Sequence, residues 1–541
     1  MGMGFIGKKT LYRQALYLFI GIMGVLCTPI PPSDAAETVT IQFGPFTQTV
    51  KISEIEQYAK TGRLSNSLQV FAPFLTPDVR NLLNQKIDID PQVADRFIGE
   101  IVNTPQGQQI FARLGQAIPG SNRDTIQGAL NLMIRQVNGA SVLGFLRAYP
   151  GRNVTVDASK LLELGLVLNP DNLKSQALGV FLERDLATSE RVSLPGNINP
   201  SNPGKYPVQV QTINFNRGNR QIIADIYIGD TQSQQPLVVL SHGFGANRLF
   251  LKYLGEHLAS HGITTVSIEH PGSNSRAVNQ AINRTNLARL ISPSEFIDRP
   301  QDITSLLDEL SRRNQQNPTG VKFNTNNTVV IGHSLGGYTA LALAGGELNI
   351  GELRRYCQRN LNAAASPGDW LQCAGASLPE KPISLRDQRI QRAIALNPLV
   401  GQLFGRQGLS QINIPVLMVA STEDAITPAV SHQIKPFSQL RGSKYLITAI
   451  GGTHLSLSDS NYQIPGSTLV RERRGREADR FRQLIRGVGL AFVKELTPEA
   501  SIYRPFLSSS YTQSFSTTTI PLRFGSDLPK SVQSWLEVSR E

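Results

Sequence analysis

Apolar residues follow different rhythms in the two halves of the chain. Residues 236–241 (PLVVLS) form an unbroken apolar run, and Val329, Val330 and Ile331 form another; such runs mark strands buried on both faces. Just before the first run, VQVQTINF (208–215) and QIIADIYI (221–228) alternate, as strands with one wetter face do. Further strands are expected at 264–268, 392–396 and 414–420, with 444–450 as the last. Helical spacing falls between them at 253–261 and 302–313, and again at 477–495 near the C-terminus. Strand and helix in alternation predict an α/β class, a mostly parallel sheet with helices on both faces.

The first half reads differently. After strand-like stretches at 39–43 and 48–52, helical segments are expected around 55–60, 77–84, 91–103, 105–117, 123–135 and 141–148, punctuated by proline and glycine. Ser53 and Glu56 have the spacing of a capping box, with Ser53 at the N-cap. Residues 37–170 are therefore a smaller, mainly helical domain. Residues 171–207 read as a linker, its stretch 190–207 rich in Pro, Gly, Asn and Ser, and 208–541 as the larger domain. A chain of 541 residues is long enough for both.

The first residues change the compartment. Lys8, Lys9 and Arg13 precede an apolar run from Ala15 to Cys27, followed by prolines and Ala35-Ala36, the order of a signal peptide over 1–36 cleaved near Ala35 or Ala36. The run is short for a membrane span, which leaves a retained anchor as the lesser alternative. An exported chain, periplasmic or secreted, keeps only Cys357 and Cys373, and an oxidising compartment favours their pairing. The formal charge of +12 comes without a long basic run, so nothing points to nucleic acid. The arginine-rich stretch 471–486 also carries Glu472, Glu477 and Asp479 and reads as a solvated helix face; peripheral contact with an anionic membrane surface is its alternative.

Chemistry concentrates at Gly332-His333-Ser334-Leu335-Gly336, which fits G-x-S-x-G between an apolar strand and a small-residue helix. A serine hydroxyl becomes a nucleophile only when a base takes its proton and donors await the developing oxyanion. His432 and His454 are the histidines after Ser334. His432 falls in a helical stretch, 429–435; His454 follows a strand and two glycines, where a loop can swing its ring over the sheet edge. His454 is the better base. Glu423 and Asp424 both stand after the strand 414–420 and are open as the acid. Two backbone N–H groups should form the oxyanion hole, Leu335 after the nucleophile and Phe244 in the HGFG loop after 236–241. His242, Gly243 and His333 beside these loops, and Trp370 farther on, are expected to contact substrate. His257 and His261 share one helix face, but no third ligand accompanies them, so no metal is expected. His270 follows a strand end and is expected at the pocket mouth.

With these residues in view, 208–530 resembles the α/β-hydrolase fold. GHSLGG, SHGFGANR, RPQDITSLLDEL and STEDAITP are similar to the branch that holds platelet-activating-factor acetylhydrolases and dienelactone hydrolases. The resemblance implies the chain order Ser, acid, His, and its D-x-x-x-P acid loop, ending here at Pro428, selects Asp424. It implies a serine esterase or lipase without cofactor, acting on small-molecule or lipid esters, including phospholipid acyl esters. An acyltransferase, a peptidase or a non-catalytic binding module are the alternatives. Residues 37–170 resemble, through ISEIEQYAKTGRL and FLRAYPGRNVTVD, the helical domain that precedes the hydrolase in exported cyanobacterial proteins. Residues 347–391 are expected to be a lid-like insertion stapled by Cys357–Cys373.

Overall fold

The computed structural model describes residues 36–538 apart from 44–45, 73–74, 76–79, 81–82, 85–111, 113, 135–140, 159, 162–168, 191, 197, 231–234, 284–290, 318–319, 362–364 and 464–471. The signal-peptide reading and the expected helix at 91–103 lie outside these residues. The chain divides into two compact units, with the division at residue 170.

In the smaller unit, strand β1 (Thr38–Phe43) pairs antiparallel with β2 (Phe46–Lys51) and parallel with β3 (Asn153–Asp157). Helices Ile52–Thr61, Arg123–Ile134 and Val142–Ala148 accompany this sheet. Buried Val39, Val50, Ile52, Ile55 and Val154 meet in one core. "Mainly helical" therefore understates the sheet, because β3 follows a helix and pairs with a strand more than a hundred residues away. The capping box also shifts. Lys51 is the N-cap and its N–H donates to Glu54 Oε2 at 3.1 Å, which leaves Ser53 inside the first turn.

The larger unit holds a nine-stranded sheet in the order β14-β13-β12-β11-β8-β6-β7-β5-β4. Its strands are β4 (Gln209–Arg217), β5 (Arg220–Ile228), β6 (Leu237–Ser241), β7 (Thr265–Glu269), β8 (Thr328–His333), β11 (Ile390–Leu396), β12 (Val416–Ser421), β13 (Lys444–Ala449) and β14 (Leu522–Gly525). Strands β7, β6, β8, β11, β12 and β13 run parallel; at one edge β5 is antiparallel to β7 and β4 antiparallel to β5, and at the other β14 is antiparallel to β13. The side-chain period of two sends Val330 into the core on one face and Val329 and Ile331 into the core on the other. Ile303, Leu306 and Leu310 of helix Glu295–Gln316 join the first core, and Leu254 of helix Lys252–Ser260 with Phe481 and Val488 of helix Asp479–Lys494 join the second. Helices thus cover both faces, the arrangement that all-buried parallel strands require.

Three expectations are corrected here. The sheet does not end at β13: β14 adds an antiparallel edge far along the chain, its four residues too short to announce themselves. The helix expected at 302–313 begins at Glu295 and runs through Pro300, whose missing N–H frees the Phe296 carbonyl to accept from Tyr338 Oη at 2.5 Å. The stretch 171–207 is no free linker. Helix Pro170–Asp185 sets Leu178 and Leu182 into the sheet's core, and Ser175 Oγ accepts a hydrogen bond from Val430 N at 3.0 Å. Farther on, His257 and His261 use Nε2 to donate to Pro200 O and Asn202 O, each at 2.9 Å, so the paired histidines clamp the 199–202 loop.

Residues 347–391 form a folded excursion. β9 (Glu347–Leu348) pairs with β10 (Ile383–Ser384), and between them lie helices Ile350–Asn360 and Pro367–Ala374, bridged by the Cys357–Cys373 disulfide. Ser366 and Asp369 cap the second helix reciprocally, each side chain meeting the other's backbone N–H at 3.1 Å.

Candidate active site

The order in which strands join the sheet reverses around β6: β7 is added on one side of it and β8 on the other. In open parallel sheets, ligands bind at the carboxyl ends of the strands beside such a switch point. The residues singled out above lie there. Ser241 ends β6 and is followed by the His242-Gly243-Phe244 loop; His333 ends β8 and is followed by Ser334.

Ser334 has φ 56° and ψ −118°, outside the relaxed regions for a residue with a Cβ. Its neighbours hold it there. Its N–H donates to Leu396 O at 2.9 Å, and its carbonyl accepts from Tyr338 N at 3.1 Å and from Leu399 N at 3.0 Å. The flanking glycines are required by close approach. A Cβ on Gly332 would sit 1.9 Å from Gly336 O, and one on Gly336 would sit 2.1 Å from Ser241 O. Leu335 opens helix Leu335–Leu343, so its N–H has no residue four back in the helix to bond. Gly243 comes so near that an added Cβ would lie 3.1 Å from Ser334 Cβ, which brings the HGFG loop against Ser334.

Asp424 and His454 meet directly: His454 Nδ1 lies 2.8 Å from Asp424 Oδ2. The buried carboxylate also accepts from Ile426 N, Thr427 N, Thr427 Oγ1 and Gln433 Nε2, at 2.8–3.0 Å. Glu423 faces elsewhere and pairs with Arg473 at 2.5 Å. The choice left open between the two carboxylates thus has a geometric answer. His454 is fixed from behind as well, since its carbonyl accepts from His333 Nε2 at 2.8 Å and from Asn397 Nδ2 at 3.2 Å. With Nδ1 given to Asp424, Nε2 is the ring nitrogen left to take a proton. His432 is not part of this set; it is fully buried with Nε2 3.5 Å from Asp369 Oδ1.

Electrostatics follow the geometry. Burial alone would lower the pKa of His454, but the Asp424 charge and hydrogen bond hold it above the ordinary imidazole value. Burial likewise pushes Asp424 up, and the His454 and Thr427 hydrogen bonds bring it below the usual carboxylate value. Glu472 Oε2 accepts from Leu455 N at 2.9 Å beside this pair, and desolvation raises its pKa to about 7. Catalysis by a neutral His454 should therefore rise with pH along an acid limb centred above about 6.5, the free-imidazole value. Asp424→Asn should move that limb to lower pH, because the Asp424 charge that offsets burial is lost and only the weaker effect of Glu472 still opposes it. A kcat/KM–pH profile of both proteins checks this.

Of the other expected contact residues, His242 and His333 have their rings engaged within the protein. His242 is buried; its Nδ1 donates to Gly243 O at 2.7 Å and its Nε2 accepts from His270 N at 3.0 Å, so its ring belongs to the loop. His333 is also buried, its ring stacked 4.5 Å from Phe250 and tilted 4.7 Å from that of His454, which it braces. His270, expected at a pocket mouth, is wholly buried beside Asp302, with its Nδ1 3.1 Å from Asp302 Oδ2. Trp370 stands half exposed on helix Pro367–Ala374. That helix reaches the acid loop through Gly368 N, which donates to Ile426 O at 2.7 Å. Residues of the arginine-rich stretch are engaged internally: Arg474 donates to Ser458 Oγ at 3.2 Å, and Arg482 pairs with Asp479. Three residues of the site escaped sequence reasoning, namely Asn397, Thr427 and Gln433. Of these, Asn397 left a signal, an asparagine before proline at a strand's end, and it adopts φ 42°.

The switch-point sheet, the strained serine on its strand-to-helix turn, and the acid–histidine pair on the following loops define an α/β-hydrolase. Residues 238–463 match the model of the alpha/beta hydrolase family. Residues 35–157 match a second model, described as an alpha/beta hydrolase of unknown function (DUF1400), although Ser334, Asp424 and His454 all lie outside that match. The chain belongs to the α/β-hydrolase superfamily and is a hydrolase by family. A search of curated proteins found no match.

Proposed function

We propose that this hydrolase cleaves carboxylic esters through an acyl-enzyme on Ser334. The observation that carries the reading is the 2.8 Å contact of buried Asp424 with His454, on the loops beside the strained Ser334. His454 Nε2 takes the Oγ proton as Ser334 attacks the ester carbonyl, and Asp424 stabilises the imidazolium and keeps its tautomer. The N–H groups of Phe244 and Leu335 receive the oxyanion. The intermediate collapses, His454 protonates the departing alcohol, and water repeats the sequence to release the acid. Every proton in this scheme is moved by a residue of the chain, so no cofactor enters it.

An acyl-enzyme could also pass its acyl group to another acceptor, and a peptide bond could replace the ester; fold and triad do not decide between these. Residues 347–391, docked on the acid loop at Gly368, are the proposed lid, with Trp370 offering apolar surface to an acyl chain. A panel of p-nitrophenyl esters from acetate to palmitate tests the reading on the mature protein. We expect turnover of at least part of the series, resistant to EDTA. No turnover across the panel would set the ester assignment aside, and a chain-length preference unchanged by trimming the insertion would remove the lid.

We also propose export with cleavage near Ala35 or Ala36. N-terminal sequencing of protein from its native host checks this, and a mature chain that starts at Met1 in the cytoplasm would overturn it. Among the described residues, no helix is long and apolar enough to cross a membrane.

A further inference from the structure

Beneath the HGFG loop lies a second Ser–His–Asp series. Ser241 Oγ is 3.0 Å from His270 Nε2, and His270 Nδ1 is 3.1 Å from Asp302 Oδ2. All three residues are fully buried, so substrate cannot reach Ser241. The series ends instead on a buried cation. Arg299 Nη2 donates to Ser241 Oγ at 3.1 Å and also to the carbonyl of His242; Nη1 donates to Ser273 Oγ at 2.7 Å. Its Nε donates to Thr339 Oγ1 at 3.2 Å, and Thr339 Oγ1 in turn donates to Leu335 O at 2.9 Å. One guanidinium therefore touches the 242–244 loop directly and reaches the first turn of the helix after Ser334 through the Thr339 hydroxyl.

We infer that Arg299 is a positioning residue for the oxyanion hole, holding the peptide just before the one that presents Phe244 N–H and, through Thr339, the peptide just after the one that presents Leu335 N–H. This role rests on the proposed acyl-enzyme at Ser334 and on peptide geometry. The His242 carbonyl is held by Arg299. The next carbonyl, Gly243 O, is held by His242 Nδ1 at 2.7 Å and by Ala246 N at 3.3 Å. A peptide is planar and trans, so a carbonyl pinned in one direction turns the following N–H in the opposite one. The N–H that follows Gly243 O is that of Phe244. His242 can hold Gly243 O only in its neutral Nδ1–H form, because Nε2 accepts from His270 N. Preorganised donors of this kind spare the transition state the cost of reorienting dipoles.

The charge needed for the lock is kept in balance. Ser273 Oγ donates to Glu295 Oε2 at 2.7 Å, and Arg220 pairs with Glu295 at 2.6 Å and with Asp302 at 2.8 Å. Burial lowers the Arg299 pKa to about 10, which leaves it charged at neutral pH. Lysine could not reproduce the arrangement. An ammonium is a point charge, whereas four acceptors lie around the planar fork of Arg299.

The test compares Arg299→Met, Arg299→Lys and the near-isosteric Thr339→Val with wild type on an activated ester. Active sites are counted by fluorophosphonate titration, and Ki is measured for a trifluoromethyl ketone that adds to the serine as an oxyanion. Positioning predicts that kcat per titrated site falls on the order of 10- to 100-fold in Arg299→Met, with KM changed far less. Ki should rise in step with the loss of kcat/KM. Arg299→Lys should recover only part, and Thr339→Val should show a smaller loss of the same kind. If the variants merely lose titratable sites while kcat per site and Ki stay at wild-type values, Arg299 is structural and the inference fails. If Arg299→Met does not fold, Thr339→Val decides by the same two numbers. If wild type itself hydrolyses the ester but titrates at a serine other than Ser334, the acyl-enzyme reading has failed, and the inference with it.

Discussion

Replacing Ser334 with alanine should lower ester hydrolysis on the order of 10⁴-fold or more while leaving the fold intact. The fold should survive because alanine keeps the Cβ, and the hydrogen bonds that hold residue 334 use its backbone, to Leu396, Tyr338 and Leu399. Only the hydroxyl is lost, and with it the covalent route. His454→Ala should cost a similar factor, since triad members act as a unit and neither works without the other. Initial rates per folded protein, with the thermal midpoint measured alongside, provide the check. A Ser334→Ala protein that retains full activity would remove the acyl-enzyme.

The second large effect separates two neighbouring acids. Asp424→Asn should cost on the order of 10⁴-fold in kcat, because an amide facing Nδ1 no longer stabilises the imidazolium and favours the wrong tautomer. Glu423→Gln should change the rate only a few-fold, since its carboxylate is spent on Arg473 and its loss removes a partly exposed ion pair of modest worth. Equal losses in the two variants, measured as kcat/KM on one ester, would contradict the assignment.

What could be foreseen from sequence followed the length and directness of each signal. The parallel strands were legible because burial on both faces leaves unbroken apolar runs, as in β6 and β8. Ser334 and His454 were legible because each stands where a strand gives way to a glycine-rich turn. The edge strand β14 was not, since four residues carry no periodicity and its partner β13 lies over seventy residues earlier. Nor was β3, which pairs with β1 across most of the smaller unit. Arg299 was hidden for a different reason. In a helix rich in Asp, Glu and Arg it looks like any solvated charge, and only the packed structure shows that it is turned inward together with Glu295 and Asp302. His242 and His333 show the converse: proximity to the nucleophile in sequence suggested substrate contact, while in space their rings are committed to Gly243 and His454.

Two Ser–His–Asp series in one domain make the site of covalent attack the decisive observable. Incubation with a fluorophosphonate, digestion and mass spectrometry should place a single adduct on the peptide that contains Ser334, and the adduct should vanish in Ser334→Ala. An adduct on Ser241 or any other serine, or full hydrolysis by protein that carries no adduct after saturating exposure, would contradict the account.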